Sequence, residues 1–467
     1  MTHAQEAMTT ESESEIEAVG CARHSESKQQ RSLTAPVVAA LSMLLATFLH
    51  RGLQNVLPNK TFAALLVVIV IATAVWMHRT PARLRGIGPV ECALAGYLLW
   101  NIYSMYAPHE YEAIVPATGA PHSVPQFIMV AAGLPLVMYV VGRYTFDRTA
   151  AVRVLLWTIL ILAAYSAAVS ILQFTGPKSL VWPRFIVDGS LTAGVDTWAD
   201  RAIGVFNQPV VSGMTMVLGF AIAMLLISRR DEPTWRRLSA LVIAAACGVG
   251  IYLTYTRAVW LGAAVVLVMG ACLATGYRKG FVVSLCLVAL GVATNWSRFS
   301  SDDRASGGVG SAAEVEDRLN MMQTALWGFA HKPLTGWGIL RFESLNTFRH
   351  QQWAPDVPWI RGYGAVSHQN DLGILAELGL IGLVLWAAVL LVTAYKLWVA
   401  YRSLPVDDLC GKPLALTAFI AVVVLFTSGL TVDLRLFDFP AAALFLLFGV
   451  AVGWSDRSTR ERRAAHV

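Results

Sequence analysis

One histidine, one glutamate and three arginines are the residues through which this chain could do chemistry. His368 stands in Ser367-His368-Gln369-Asn370-Asp371, directly ahead of an apolar stretch, and Glu377 follows nine positions later. Arg201 ends a polar stretch just before Gly204, Arg257 sits in Thr254-Tyr255-Thr256-Arg257 between two apolar runs, and Arg318 follows Glu314, Glu316 and Asp317. A neutral imidazole can take a proton from a hydroxyl. Guanidinium forks bind phosphate oxygens bidentately and stabilise negative charge that develops as a bond to phosphate breaks. Each residue also has a structural reading. An arginine at a membrane boundary snorkels to headgroups or pairs with a carboxylate, for which Asp200 is beside Arg201 and Asp317 or Glu314 is near Arg318.

The elements that must position these residues are apolar helices. With 56% hydrophobic residues, 14% charged residues and a mean hydropathy of +0.56, the composition is that of an integral membrane protein. The net charge of +6 comes from short basic clusters between apolar runs, which topology explains and nucleic-acid binding does not. The six cysteines follow no metal or disulfide spacing, and Cys92, Cys247, Cys272 and Cys286 lie inside apolar runs as packing residues.

Runs long enough to span, at about 20 residues each, lie near 33–49, 61–77, 89–106, 124–141, 151–174, 205–228, 238–256, 258–275, 280–296, 371–398, 413–432 and 436–454. The expected fold is therefore all-α and polytopic, with about 12 transmembrane helices. Residues 1–31 read as a disordered tail, 32–296 as spans one to nine, 297–370 as a large outer loop, 371–455 as spans ten to twelve and 456–467 as a second tail. With the N-terminus inside, the inner loops carry thirteen Lys and Arg against seven in the short outer loops, so both termini are expected in the cytoplasm. All four basic or acid–base candidates, Arg201, Arg257, Arg318 and His368, then fall on the outer side.

Within the large loop, Val315, Leu319, Met322, Leu326 and Phe329 repeat at helical spacing, which predicts an amphipathic helix with Arg318 at the edge of its apolar face. Pro333 and Gly336 end it. If Asn370 caps a helix starting at Asp371, His368 lies at the positive end of its dipole, which disfavours an imidazolium and keeps the ring neutral. Glu377, inside an apolar span, must be paired or hydrated and is either functional or structural glue. Three arginines and a neutral base on one face suit a substrate with a pyrophosphate leaving group. No Asp-x-Asp, His-Glu-x-x-His or cysteine pair offers a metal site, so no metal and no cofactor is expected, with arginine taking that part.

These residues resemble the O-antigen ligase and polymerase superfamily, which uses polyprenyl-pyrophosphate-linked glycans. The resemblance covers about Arg201 to Leu383, roughly two fifths of the chain, and rests on Glu316-Asp317-Arg318, Trp327, Pro333 to Gly338 and His368 to Leu383. The family has His-Asn before its Leu and Glu-x-Gly; here Gln369 takes the asparagine place while Leu372, Glu377, Gly379 and Gly382 keep register, so Gln369 or Asn370 must do that asparagine's work. The resemblance implies a GT-C-like, metal-independent, inverting glycosyltransferase of the bacterial inner membrane. In it His368 would be the catalytic base, and Arg201, Arg257 and Arg318 would hold undecaprenyl pyrophosphate at a periplasmic active site.

Twelve spans, one large loop between spans nine and ten and no appended soluble domain favour the ligase, whose partners are the undecaprenyl pyrophosphate-linked O-antigen and the lipid A-core oligosaccharide. A polymerase of O-antigen or exopolysaccharide would share every residue and differ in acceptor. A multi-pass transporter would place ionisable groups near mid-membrane and show inverted repeats, neither of which is visible.

Overall fold

The computed structural model describes residues 33–53, 61–80, 86–188, 201–299 and 312–464. The expected 1–31 tail, Asp200 and the last three residues of the chain lie outside them. Each of the twelve apolar runs is a helix. The first group is α1 (Ala35–Leu53), α2 (Thr61–Arg79), α3 (Pro89–Tyr106), α4 (Val124–Thr145), α5 (Thr149–Thr175), α6 (Pro209–Ser228), α7 (Thr234–Leu253), α8 (Arg257–Leu273) and α9 (Arg278–Thr294). The long loop then carries α10 (Ala312–His331) and α11 (Phe342–Phe348), and the chain ends with α12 (Asn370–Ser403), α13 (Lys412–Gly429) and α14 (Asp438–Ala464). A two-residue antiparallel hairpin, β1 (Ile114–Val115) and β2 (Ala120–Pro121), lies between α3 and α4.

Among the described residues nine helices, α1, α2, α4 to α7 and α12 to α14, are long and apolar enough to cross a membrane. The other three of the twelve fall short for visible reasons: α8 and α9 have 17 residues each, and α3 carries Glu91 and Asn101. The surface agrees with a polytopic membrane protein. Val67, Val68, Val70, Ile71 and Val75 on α2, and Val283, Leu287, Val288 and Leu290 on α9, are exposed apolar side chains that water would not tolerate in such continuous bands. α14 does not stop at its apolar part: residues 456–464, expected as a tail, continue the helix.

α6 is the central helix, buried on all sides from Pro209 to Gly219 and again from Ala221 to Leu226. α14 packs along α4 at small residues, because a methyl group at Gly449 would collide with the Tyr139 carbonyl and one at Gly453 with the Arg143 carbonyl. Close backbone approach of this kind stands in for the hydrophobic drive that lipid removes. The same pair is clamped at the end of α4 far from the long loop. There buried Arg143 pairs with Glu91 of α3 and, at 2.7 Å, with Asp456 of α14, which also meets Lys396 of α12 at 3.8 Å.

The amphipathic helix α10 forms, but its buried face is not the predicted one. Val315 and Leu326 are exposed, while Asn320, Met321, Thr324 and Ala325 are buried. The polar members are inside because they satisfy backbone groups of the segment that follows α11. Asn320 donates to the carbonyls of Pro358 and Arg361, both at 3.0 Å, and accepts from the Trp353 N–H at 2.8 Å, while Thr324 accepts from the Gln351 N–H at 3.0 Å. Local periodicity sees only side-chain polarity, and here the needs of the loop backbone decide the inward face.

Candidate functional site

The site is organised by a break in α12. Gly379 has φ +66° and ψ −167°, so the helix loses its own hydrogen bonds at that point. The segment after α10 fills the gap: the N–H of Trp337 donates to the Ala376 carbonyl at 2.9 Å and that of Gly338 to the Glu377 carbonyl at 2.8 Å, while the Leu380 N–H donates to the Pro333 carbonyl at 2.8 Å. Trp100 Nε1 donates to the Leu378 carbonyl at 3.0 Å. Freed backbone groups at membrane depth must find partners inside the protein, and this explains why Pro333 to Gly338 and Glu377 to Gly382 form one unit. Gly336 is equally required, since its φ is +68° and a methyl group there would strike the Glu377 backbone.

The break leaves Glu377 buried with a definite task. Its Oε1 accepts from the Phe342 N–H at 3.1 Å and its Oε2 pairs with Arg435 Nη1 at 2.9 Å. Arg435, between α13 and α14, also donates from Nε at 2.9 Å and Nη2 at 2.6 Å to Asp433, and lies over the Phe127 ring. All three charged groups are 3–4% exposed. Such a cluster is tolerable only because each guanidinium face has a carboxylate. Arg435 and Asp433 were not among the sequence candidates. The signal was Asp433-Leu434-Arg435-Leu436-Phe437-Asp438, three charges within six residues between two apolar helices.

His368 stands two residues ahead of α12. Helix α12 starts at Asn370 and not at Asp371, and Asn370 is no cap: Gln369 occupies the cap position and makes no side-chain cap bond. Ser367 fixes the turn that leads into the helix, its hydroxyl donating to the Gln369 carbonyl at 2.7 Å and accepting from the Gln369 N–H at 3.3 Å. His368 remains at the positive end of the helix, as expected. It lines a small cavity with Arg318, Gln369, Leu372 and the α10 residues Met321 and Ala325. His368 is exposed at the surface, yet the protein mass packed around it, followed by Arg318, lowers its pKa below the ordinary histidine value. The Ser367 backbone and the carboxylates Asp317 and Asp433 pull less strongly the other way.

The structure separates the two candidates for the family asparagine. Gln369 faces the His368 cavity. Asn370 is buried, with its amide nitrogen toward Asp433 Oδ1 at 3.3 Å and its oxygen toward Trp386 Nε1 at 3.1 Å, the orientation in which both atoms meet complementary partners.

Arg201 is 6% exposed and pairs with Glu314 of α10 at 2.5 Å, one helical turn ahead of Arg318. Glu314, read from sequence as a possible partner of Arg318, is therefore tied to Arg201. Glu316 and Asp317 meet Arg361 at 3.3 and 4.0 Å. Arg257 begins α8 after a three-residue turn in which Tyr255 has φ +42°; it is exposed and lines neither the His368 cavity nor the larger one beside it. Three residues on, Trp260 lines an apolar cavity of about 440 Å³ among α6, α7, α8 and α9. Arg318 and His368 are thus together, Arg201 is linked to them through α10, and Arg257 begins the helix whose Trp260 lines the apolar groove.

On the other side of Ser367 is a polar cavity of about 350 Å³, walled by the ends of α1, α4 and α14, by residues 433–437 and by the start of α11. His50 pairs there with Asp438 at 2.5 Å and His122 with Glu343 at 3.1 Å. Among the described residues no three His, Cys, Asp or Glu side chains gather as metal ligands.

A family model described as O-antigen ligase matches residues 240–387, which contain Arg257, Arg318, His368, Gln369, Asn370 and Glu377 but not Arg201 or Arg435. No curated protein matches the chain.

Proposed function

We propose, from the match of residues 240–387 to the O-antigen ligase family model, that the chain transfers O-antigen polysaccharide from undecaprenyl pyrophosphate to the lipid A-core oligosaccharide. The observation that carries this reading is the cavity at the start of α12 in which Arg318, Gln369 and His368 meet. A core hydroxyl oxygen attacks the anomeric carbon of the first donor sugar, and the bond from that carbon to the pyrophosphate oxygen breaks with its electrons going to the leaving group. His368, kept neutral by its surroundings, takes the hydroxyl proton. Arg318 and Arg201 receive the charge on the pyrophosphate, so no metal is required. Arg257 stands beside the apolar groove, which has the lining an isoprenoid chain would fill. Attack from the face opposite the leaving group inverts the anomeric configuration.

The arrangement belongs, in this reading, to a twelve-span GT-C-like enzyme of the inner membrane with both termini cytoplasmic and the site periplasmic, which the Lys and Arg bias of the loops supports. The test is deletion followed by a gel of the cell's lipopolysaccharide. Loss of the whole ladder with long lipid-linked glycan accumulating is the ligase outcome, whereas a core bearing one repeat unit would make the enzyme a polymerase. His368→Ala should insert normally and lower transfer by at least about 100-fold, the usual scale of a lost general base; an intact ladder would remove His368 from that role.

A further inference from the structure

We propose that the polar cavity across Ser367 from the His368 cavity is a binding site for an uncharged sugar ring of one of the two glycans, an inference that rests on the glycosyl-transfer reading. Its volume of about 350 Å³ falls within the roughly 300–1,000 Å³ of small-molecule sites. Ser367 lines both cavities, so a ring held here is next to the histidine.

Charge decides what the cavity takes. With His50 and His122 neutral, two arginines line it against four carboxylates, and one of those arginines, Arg435, is already held between Glu377 and Asp433. A pyrophosphate would meet net repulsion, whereas sugar hydroxyls would meet acceptors. Glu343 and Asp438 are set for that purpose, each carboxylate oriented by one imidazole, from His122 and His50, with lone pairs left for hydroxyl donors. Phe437, half-buried on the wall, adds apolar surface for the C–H face of a ring. α1 contributes from the half that ends at Leu53, and α4, α12 and α14 from the halves with which they begin, so the cavity lies on the side of the molecule that carries the long loop.

The test is binding to the purified full-length protein in detergent, read by saturation-transfer NMR and titration calorimetry. The probes are deacylated core oligosaccharide, deacylated O-antigen repeat unit and inorganic pyrophosphate. A saccharide should bind the wild type, and Glu343→Gln and Asp438→Asn should each weaken it about tenfold or more, the scale of a lost hydrogen bond to a charged group. Binding of the core oligosaccharide assigns the cavity to the acceptor, and binding of the repeat unit assigns it to the donor. Gln126→Ala, on the cavity wall, replaces either variant that does not accumulate. Absence of saccharide binding to the wild type, unchanged affinity in the variants, or displacement of the saccharide by pyrophosphate would each overturn the proposal. Failure of the transfer reading is seen separately, as an unaltered lipopolysaccharide ladder in the deletion strain whatever the binding result.

Discussion

Replacing Glu377 by glutamine probes whether Glu377, Arg435 and Asp433 act as one buried unit. The substitution keeps the shape of the side chain, and its Oε1 can still accept the Phe342 N–H. What it removes is the charge opposite Arg435 Nη1, 2.9 Å away, and it sets an amide NH2 against that donor in place of an acceptor. At an effective dielectric constant of about 20, two unit charges with centres ~4 Å apart attract by about 4 kcal/mol. An amide is less costly to bury than a carboxylate, which returns part of that. Arg435 also keeps Asp433 on Nε and Nη2, so the loss should sit at the low end of the roughly 3–5 kcal/mol seen when one partner of a buried pair is removed, at about 3 kcal/mol. The double variant Glu377→Gln, Asp433→Asn strands a guanidinium that is 4% exposed. It should cost more than the two single changes together, by ~1 kcal/mol or more. Unfolding titration in mixed micelles, followed by tryptophan fluorescence, measures all three. A single variant within about 0.5 kcal/mol of wild type, or a double variant that is strictly additive, would falsify the idea of a coupled cluster.

The same geometry sets three other outcomes. Arg318→Lys keeps the charge but not the fork, so transfer should fall by about tenfold or more with the protein still folded; wild-type rates in a gel-based transfer assay would make Arg318 structural. Gln369→Ala should lower transfer without changing stability, since its side chain faces the His368 cavity. Asn370→Ala should instead destabilise by about 1–3 kcal/mol through the partners it leaves behind; the reverse pattern in melting and transfer would exchange their roles. The pH profile of kcat/KM should track His368. Because its pKa is lowered, activity is full above the ordinary value near 6.5 and declines only as pH falls through the lower folded-state value, with Arg318→Ala moving that acid limb upward. An acid limb unmoved by loss of Arg318 would mean that Arg318 does not hold the histidine neutral.

The sequence alone determined the features set by composition and by residues close together in the chain. Twelve apolar runs predicted twelve helices because backbone groups in lipid must be satisfied within their own segment. The long loop between α9 and α12 was legible from its polarity, and the position of His368 just ahead of α12 from the apolar run that follows it. The same local reasoning failed on α10, where the apolar stripe through Val315 and Leu326 stayed exposed. Asn320 and Thr324 turned inward to serve loop backbone some 27 to 41 positions away. Periodicity cannot register a partner at that separation. Tertiary structure alone decided the partner of Glu377, which is Arg435, 58 residues later. It also decided that Arg201 pairs with Glu314 across 113 residues, and that Gln369 faces the cavity while Asn370 turns to Asp433. Gln369 is the extended residue before α12 and Asn370 the first of the helix, so only the packing of α12 against its neighbours can choose which of the two amides faces the cavity.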